Sequence, residues 1–173
     1  MVLQGFGWAD LLENPTEEEI QQRRRPTLAE TRFMAWDSIA HGARGILYWG
    51  TYTIERDSQL WQDVLQVVKE LSDRQAVISA PESNLVLDVT HAESYGSLAW
   101  EPIVLPKAAP DGLWLLVVNE NPEPIRVDIA GIRGEATRFV DSFDPAQPYE
   151  ASEGKLSVFV ERKGFVLLGP GGD

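Results

Sequence analysis

The sequence predicts two architectures in succession: an α/β segment of order β-α-β-α, then an all-β antiparallel sandwich. Two observations predict it. Residues 1 to about 80 alternate short apolar runs with helical stripes, whereas residues from about 85 onward show short alternating strands and turn residues. The length of 173 residues suits one domain or two small ones.

The elements follow in order. Val2-Leu3-Gln4-Gly5-Phe6-Gly7-Trp8 reads as a strand running into a glycine-rich loop. Thr16-Glu17-Glu18-Glu19 is a capping box that opens a helix, with Arg23, Arg24 and Arg25 expected in its last turn. Thr27-Leu28-Ala29-Glu30 is a second capping box. The helix after it is expected to bury Ala29, Phe33, Trp36 and Ala40 and to stop at a left-handed Gly42. The run Gly45-Ile46-Leu47-Tyr48-Trp49-Gly50 has no polar alternation, which predicts a strand buried on both faces. A third helix after Asp57-Ser58 carries Leu60, Val64, Val67, Val68 and Leu71 on one stripe.

Pro81 and small polar residues between Ala76 and Asn84 mark a boundary, giving segments 1–80 and 81–173. Strands are expected at Leu85–Thr90, Ser97–Val104, Leu113–Asn119, Ile125–Ile129, Thr137–Phe143, Leu156–Glu161 and Gly164–Leu168. The last two flank Arg162-Lys163-Gly164, which reads as a hairpin turn. The Gly169–Asp173 tail is expected to be disordered.

Composition removes several function classes. There is no cysteine, so disulfides, thiolate chemistry and Cys-based zinc sites are excluded. The two histidines, His41 and His91, are far apart in sequence, and neither a metal site nor a cofactor is expected. His41 reads as a helix-end residue and His91 as solvent-facing. A net charge of −12 argues against nucleic acid and anionic membranes as partners. No apolar run approaches the ~20 residues needed to span a bilayer, and no signal-peptide pattern opens the chain. Gly5-Phe6-Gly7 is too short for a phosphate loop, and there is no Gly-x-Ser-x-Gly elbow. Trp36, Trp61 and Trp114 read as core. Trp100 is open to either a core or a stacking role.

Two parallel strands with two helices leave much uncovered. Each large apolar side chain left exposed forgoes ~1.5–3 kcal/mol. Phe33, Trp36, Trp61, Leu65 and the Ile46–Trp49 strand together approach a domain's whole stability, roughly 5–15 kcal/mol. Upstream sequence, the sandwich or another copy of the chain must cover them.

The run Arg25-Pro26-Thr27-Leu28-Ala29-Glu30-Thr31-Arg32-Phe33, followed by His41-Gly42-Ala43-Arg44-Gly45-Ile46-Leu47-Tyr48-Trp49, resembles the seventh helix and eighth strand of glycoside-hydrolase-like (β/α)₈ barrels. Residues 1–80 would then be a partial TIM barrel, its last two strand–helix units, and residues 81–173 the β-sandwich that commonly trails it. Active sites of such barrels sit at the C-terminal strand ends. The resemblance therefore implies that Gln4, Phe6 and Trp8 line a sugar site from the seventh strand, and Tyr48 and Trp49 from the eighth. It also implies an absence. Glycosidases need two carboxyls, about 5–5.5 Å apart for retention or ~6.5–9.5 Å for inversion. This chain has no fourth strand to supply the acid/base, and Gln4 stands where a seventh-strand Glu is expected. Asp10, Glu13, Glu55 and Asp57 are the nearest carboxylates, each with a solvating or capping alternative.

The expected function is the C-terminal part of a glycoside-hydrolase-like protein, contributing sugar-binding residues without the catalytic acid/base. The alternative is a non-catalytic carbohydrate-binding or self-assembling module. The expected partners are a carbohydrate ligand and either an N-terminal barrel part or further copies of the chain.

Overall fold

The computed structural model describes residues 1–91, 100–132 and 138–171. The chain divides into two compact units, Met1–Arg74 and Gln75–Asp173.

The first unit holds β1 (Val2–Gln4), α1 (Glu17–Gln22), α2 (Leu28–Ala40), β2 (Leu47–Trp49) and α3 (Gln59–Asp73), with single 3₁₀ turns at Trp8–Leu11 and Thr51–Thr53. β1 and β2 are parallel, with Leu3 opposite Tyr48 and Gln4 opposite Trp49. They form a two-stranded sheet, and the described residues contain no closed barrel. α2 and α3 cover one face of that sheet. Leu3, Ala35 and Val67 form its buried centre, with Leu28, Met34, Ile46, Tyr48 and Leu71 packed around them. Arg32 ties the two helices by donating to Glu70 at 2.8 Å.

Both capping boxes form as expected. Thr16 and Thr27 accept from the backbone N–H groups of Glu19 and Glu30, whose carboxylates bond back. The rest of the first unit corrects the expectations in informative ways. α1 ends at Gln22 and Arg23 is its cap, so the arginines lie beyond the helix. α2 buries Thr31, Ala35, Trp36, Ser38 and Ile39, while Ala29 is exposed. Small polar Thr31 and Ser38 occupy the inward stripe, and an apolar count passes over them. α3 is capped by Ser58 rather than Asp57. Its inward stripe is Leu60, Asp63, Val64 and Val67, whereas Val68 is 49% exposed. Gly42 is left-handed at φ 83°, as expected. β2 is covered on one face only: Leu47 and Trp49 stay 58% and 46% exposed.

The second unit opens with a short helix, α4 (Gln75–Ile78), followed by β3 (Asp88–His91), β4 (Ile103–Ala109), β5 (Gly112–Asn119), β6 (Ile125–Ala130), β7 (Arg138–Asp141), β8 (Pro148–Glu150), β9 (Lys155–Val160) and β10 (Gly164–Pro170). These make two antiparallel sheets, ordered β4-β5-β10-β7-β8 and β3-β6-β9. Their inner faces share one core. β6 contributes Ile125, Val127 and Ile129 and β9 contributes Leu156, Val158 and Val160, each at the period of two that a half-buried strand requires. Opposite them stand Leu115, Val117, Phe139, Val166 and Leu168.

The Arg162–Gly164 turn does not close a hairpin. β9 pairs with β6, and β10 pairs with β5 and β7, so the chain changes sheets there. β10 is buried without alternation over residues 166–169, whereas β9 alternates. β4 runs further than expected, through Pro106, which is tolerated because β4 is an edge strand. Residues 97–99 and Thr137, parts of two expected strands, lie outside the described residues. The expected tail disorder fails at 169–171: β10 continues to Pro170, and the Gly171 N–H donates to the Arg138 carbonyl. His91 ends β3 half-buried rather than solvent-facing. No helix among the described residues is long and apolar enough to cross a membrane.

Candidate site: an aromatic face at the strand ends of the first unit

The loops that leave β1 and β2 carry a row of aromatic rings. Phe6 follows β1 and is buried, 2% exposed, against Ile54, Leu60 and Val64. Trp8 meets the Phe6 ring edge-on at 5.0 Å between centroids, and Trp49 meets it at 5.2 Å. Tyr52 continues the row, 6.3 Å from Trp49 and nearly perpendicular to it. Edge-to-face pairs of this kind contribute about 0.5–1.5 kcal/mol each beyond burial. One buried ring thus anchors exposed ones: Trp8 is 56% exposed and Tyr52 75%.

Backbone geometry holds the row in place. The Gly5 N–H donates to the Trp49 carbonyl at 2.8 Å, clamping the two strand ends together. Gly50 then turns left-handed at φ 84°, and a Cβ there would fall 2.4 Å from the Phe6 ring. Both the conformation and the close approach require glycine. The turn folds Tyr52 back beside Trp49. Thr53 fixes it by donating its hydroxyl to the Gly50 carbonyl at 2.8 Å.

Of the residues singled out from sequence, the structure brings Phe6, Trp8 and Trp49 together, with Gln4 opposite Trp49 in the ladder. Gln4 donates through Nε2 to the Phe6 carbonyl at 2.8 Å, which steadies the start of the loop. Tyr48 stands apart. It faces the helices, and its hydroxyl donates to the Thr31 carbonyl at 3.2 Å. Tyr52 went unnoticed in the sequence; its signal was the Gly50 that follows Trp49 and forces a return turn.

Burial, helped by the nearby Glu70 charge, pushes the Tyr48 phenol up to about 12. The neutral phenol is therefore favoured in the folded state. Its stabilisation is complete below the usual tyrosine value of about 10 and is lost as pH rises through 12. An ultraviolet absorbance titration of the parent is expected to show a tyrosine ionisation near pH 12 that Tyr48→Phe lacks. Unfolding midpoints should fall between pH 10 and 12 in the parent and stay flatter in Tyr48→Phe. A titration that Tyr48→Phe leaves unchanged near pH 12 would contradict the buried phenol.

Two of the carboxylates nearest the strand ends are committed elsewhere. Arg25, just before α2, places Nε 3.0 Å from both oxygens of Asp10 and Nη2 2.8 Å from Glu55. Asp10 also accepts from the Gly7 N–H at 2.7 Å. This clamp joins the loop after β1, the segment before α2 and the loop after β2. The Asp10 hydrogen bond pushes the Arg25 guanidinium further up. The backbone N–H of Glu55 itself, and then Arg25, hold the Glu55 carboxyl below its usual range. A carboxylate held in its charged form by a guanidinium makes a poor proton donor. Glu13 and Asp57 are exposed. What the face offers is apolar ring surface beside polar groups, on a frame braced by glycines and an ion-pair clamp.

No protein-family model matches the chain, and no curated protein does. Solved structures do resemble it. An α-amylase from Anoxybacillus, described as a new glycosyl hydrolase subclass, aligns over 90% of this chain and 36% of its own, at TM-score 0.54 and 11% identity. An α-amylase from Geobacillus thermoleovorans, solved with acarbose, aligns over 87% of this chain and 35% of its own, at 0.55 and 10%. AmyP, solved with maltose, aligns over 97% of this chain and 39% of its own, at 0.55 and 14%. The chain thus spans well under half the length of these neighbours. At such identities the likeness shows the fold alone: the fold of this chain is similar to part of the fold of these structures, two of them α-amylases.

Proposed function

We propose that this chain supplies sugar-contacting residues to a glycoside-hydrolase-like protein, as the last two strand–helix units of a (β/α)₈ barrel plus a trailing β-sandwich, and that it does not carry the catalytic carboxyl pair. The observation that carries this reading is the row Trp8–Phe6–Trp49–Tyr52 at the C-terminal ends of two parallel strands. Strand ends of that polarity are where barrel enzymes build their sites. Sugars present apolar C–H faces to rings, and the exposed indoles provide them. The clamp on Asp10 and Glu55 and the amide of Gln4 support the absence of an acid pair. The amylase-like neighbours, two of them solved with sugars, support the substrate class.

The test is a saccharide titration followed by tryptophan fluorescence, with maltotriose as probe. A saturable change is expected. Trp49→Ala should weaken binding about tenfold, the loss of roughly 1.4 kcal/mol of stacking. Aryl glycosides and maltotriose should remain uncleaved. Turnover by the chain would overturn the missing pair, and a Trp49→Ala titration identical to the parent would overturn the site.

A second reading, self-assembly, is favoured by a separate observation. Met1, Val2 and Leu47 are about 60% exposed beside Trp49, so the sheet face away from α2 and α3 is bare. Among the described residues, both strands also keep an unpaired edge. Light scattering at micromolar concentration is expected to show association of the chain with itself. Val2→Lys with Leu47→Lys should return it to a monomer. A monomeric parent would contradict this reading.

A further inference from the structure

The two exposed ends of the aromatic row, Trp8 and Tyr52, stand on different loops, and one guanidinium reaches both. Trp8 opens the turn Trp8–Leu11, a single 3₁₀ turn of the kind whose own hydrogen bonds are poorly aligned. Its ties run to residues 23–25. The Ala9 N–H donates to the Arg23 carbonyl at 3.2 Å. Gly7, the residue before Trp8, lies flush on the same segment. A Cβ there would fall 2.9 Å from the Arg25 backbone nitrogen and 3.0 Å from the Arg23 carbonyl oxygen. Asp10 closes the turn by accepting from the Gly7 N–H, and Asp10 is the residue that Arg25 grips.

The grip is unequal on its two sides. Toward Asp10 the guanidinium presents a fork, with Nε 3.0 Å from both carboxylate oxygens and Nη2 3.0 Å from Oδ1, and the Asp10 side chain is only 15% exposed. Toward Glu55 it makes one contact, from Nη2 at 2.8 Å, to a side chain 64% exposed. A planar fork on a sheltered carboxylate fixes direction as well as distance, whereas a single exposed contact is worth little and is screened by salt. The Tyr52 loop has another anchor, because Ile54 is buried against Phe6. The Trp8 turn leans on Arg23 and on the clamp.

We propose that Arg25 is a positioning residue for the saccharide site: acting through Asp10, it holds the Trp8 indole against Phe6 and so sets the affinity of the row for a sugar chain. This role rests on the function proposed above for the row. The requirement is for the fork rather than the charge. A lysine at position 25 would keep the charge, but an ammonium is a single point on a flexible stem and cannot stand in for Nε and Nη2 together. Glu55 is the dispensable arm. An indole free to turn would have to be ordered by the ligand, and that ordering would weaken binding; the clamp fixes it in advance.

The test uses the full chain and two readouts. In the free protein, NOEs are expected to link the Phe6 ring to the indoles of both Trp8 and Trp49. Arg25→Met and Asp10→Asn should abolish the Trp8 set and leave the Trp49 set, and Glu55→Gln should leave both. In a maltotriose titration, Arg25→Met should weaken binding about fivefold and Arg25→Lys nearly as much, yet neither should change the affinity once Trp8 is replaced by alanine. Loss of both NOE sets would make Arg25 a residue of the fold at large and overturn the role. Retention of both in Arg25→Met would overturn it as well, and so would an Arg25→Met effect of the same size in the Trp8→Ala background. A parent that binds no maltotriose overturns the function proposed for the row, and the affinity part of this role with it, while the NOEs still decide the hold of Arg25 on Trp8.

Discussion

Phe6→Ala is expected to cost the chain about 3–5 kcal/mol of stability, the usual range for emptying a buried aromatic site. The ring is 2% exposed and packs on Ile54 and on Leu60 and Val64 of α3. Its loss removes a core contact and the only buried member of the aromatic row. Trp8 would lose its edge-on contact with Phe6, and Trp49 would keep only the one with Tyr52. Chemical denaturation of the full chain should therefore show a lowered midpoint, and saccharide binding should fall as well. Phe6→Leu separates the two effects. Leucine refills most of the volume at about 1 kcal/mol, but it cannot hold two indoles edge-on. Stability should largely return while binding stays weak. Full recovery of both by leucine would show that the row is merely packing.

Asn119→Leu is expected to cost about 2–4 kcal/mol in the second unit, despite adding apolar volume to a buried position. The side chain is wholly buried, and Nδ2 alone serves three carbonyls, those of Glu123, Val160 and Glu161, at 2.8, 3.2 and 3.1 Å. A buried polar group stripped of its partner costs about 1–3 kcal/mol. Leucine strands several at once: these carbonyls and the Asn121 amide that bonds to Oδ1. The corner where the chain leaves β9 for β10 depends on this node. A denaturation midpoint matching the parent within about 0.5 kcal/mol would show that water takes over the node without loss.

Local signals were legible in the sequence. A capping box needs only four residues, so Thr16–Glu19 and Thr27–Glu30 could be read directly, as could Gly42. The alternation of β6 and β9 was equally plain, because one face of each is wet. What required the whole fold could not be read. The Arg162–Gly164 turn looks the same whether its strands pair or part, and only the sheet order decides. β8 is three residues long and begins with proline, below the length at which periodicity speaks. The all-apolar β2 implied cover on both faces, yet only one is covered in the first unit. That bare face is what the proposed barrel context would explain. For the site, Phe6, Trp8 and Trp49 were visible as aromatics at strand ends, whereas Tyr52 joins them only through the left-handed turn at Gly50.

On the proposed reading, the chain holds a sugar on Trp8, Trp49 and Tyr52 and leaves its glycosidic bonds intact. Intermolecular NOEs between maltotriose and the full chain test it most directly, with the sugar's integrity followed in the same sample. Contacts from sugar C–H protons to those three rings and an unchanged trisaccharide are expected. Contacts elsewhere on the first unit, or the appearance of glucose and maltose, would contradict it.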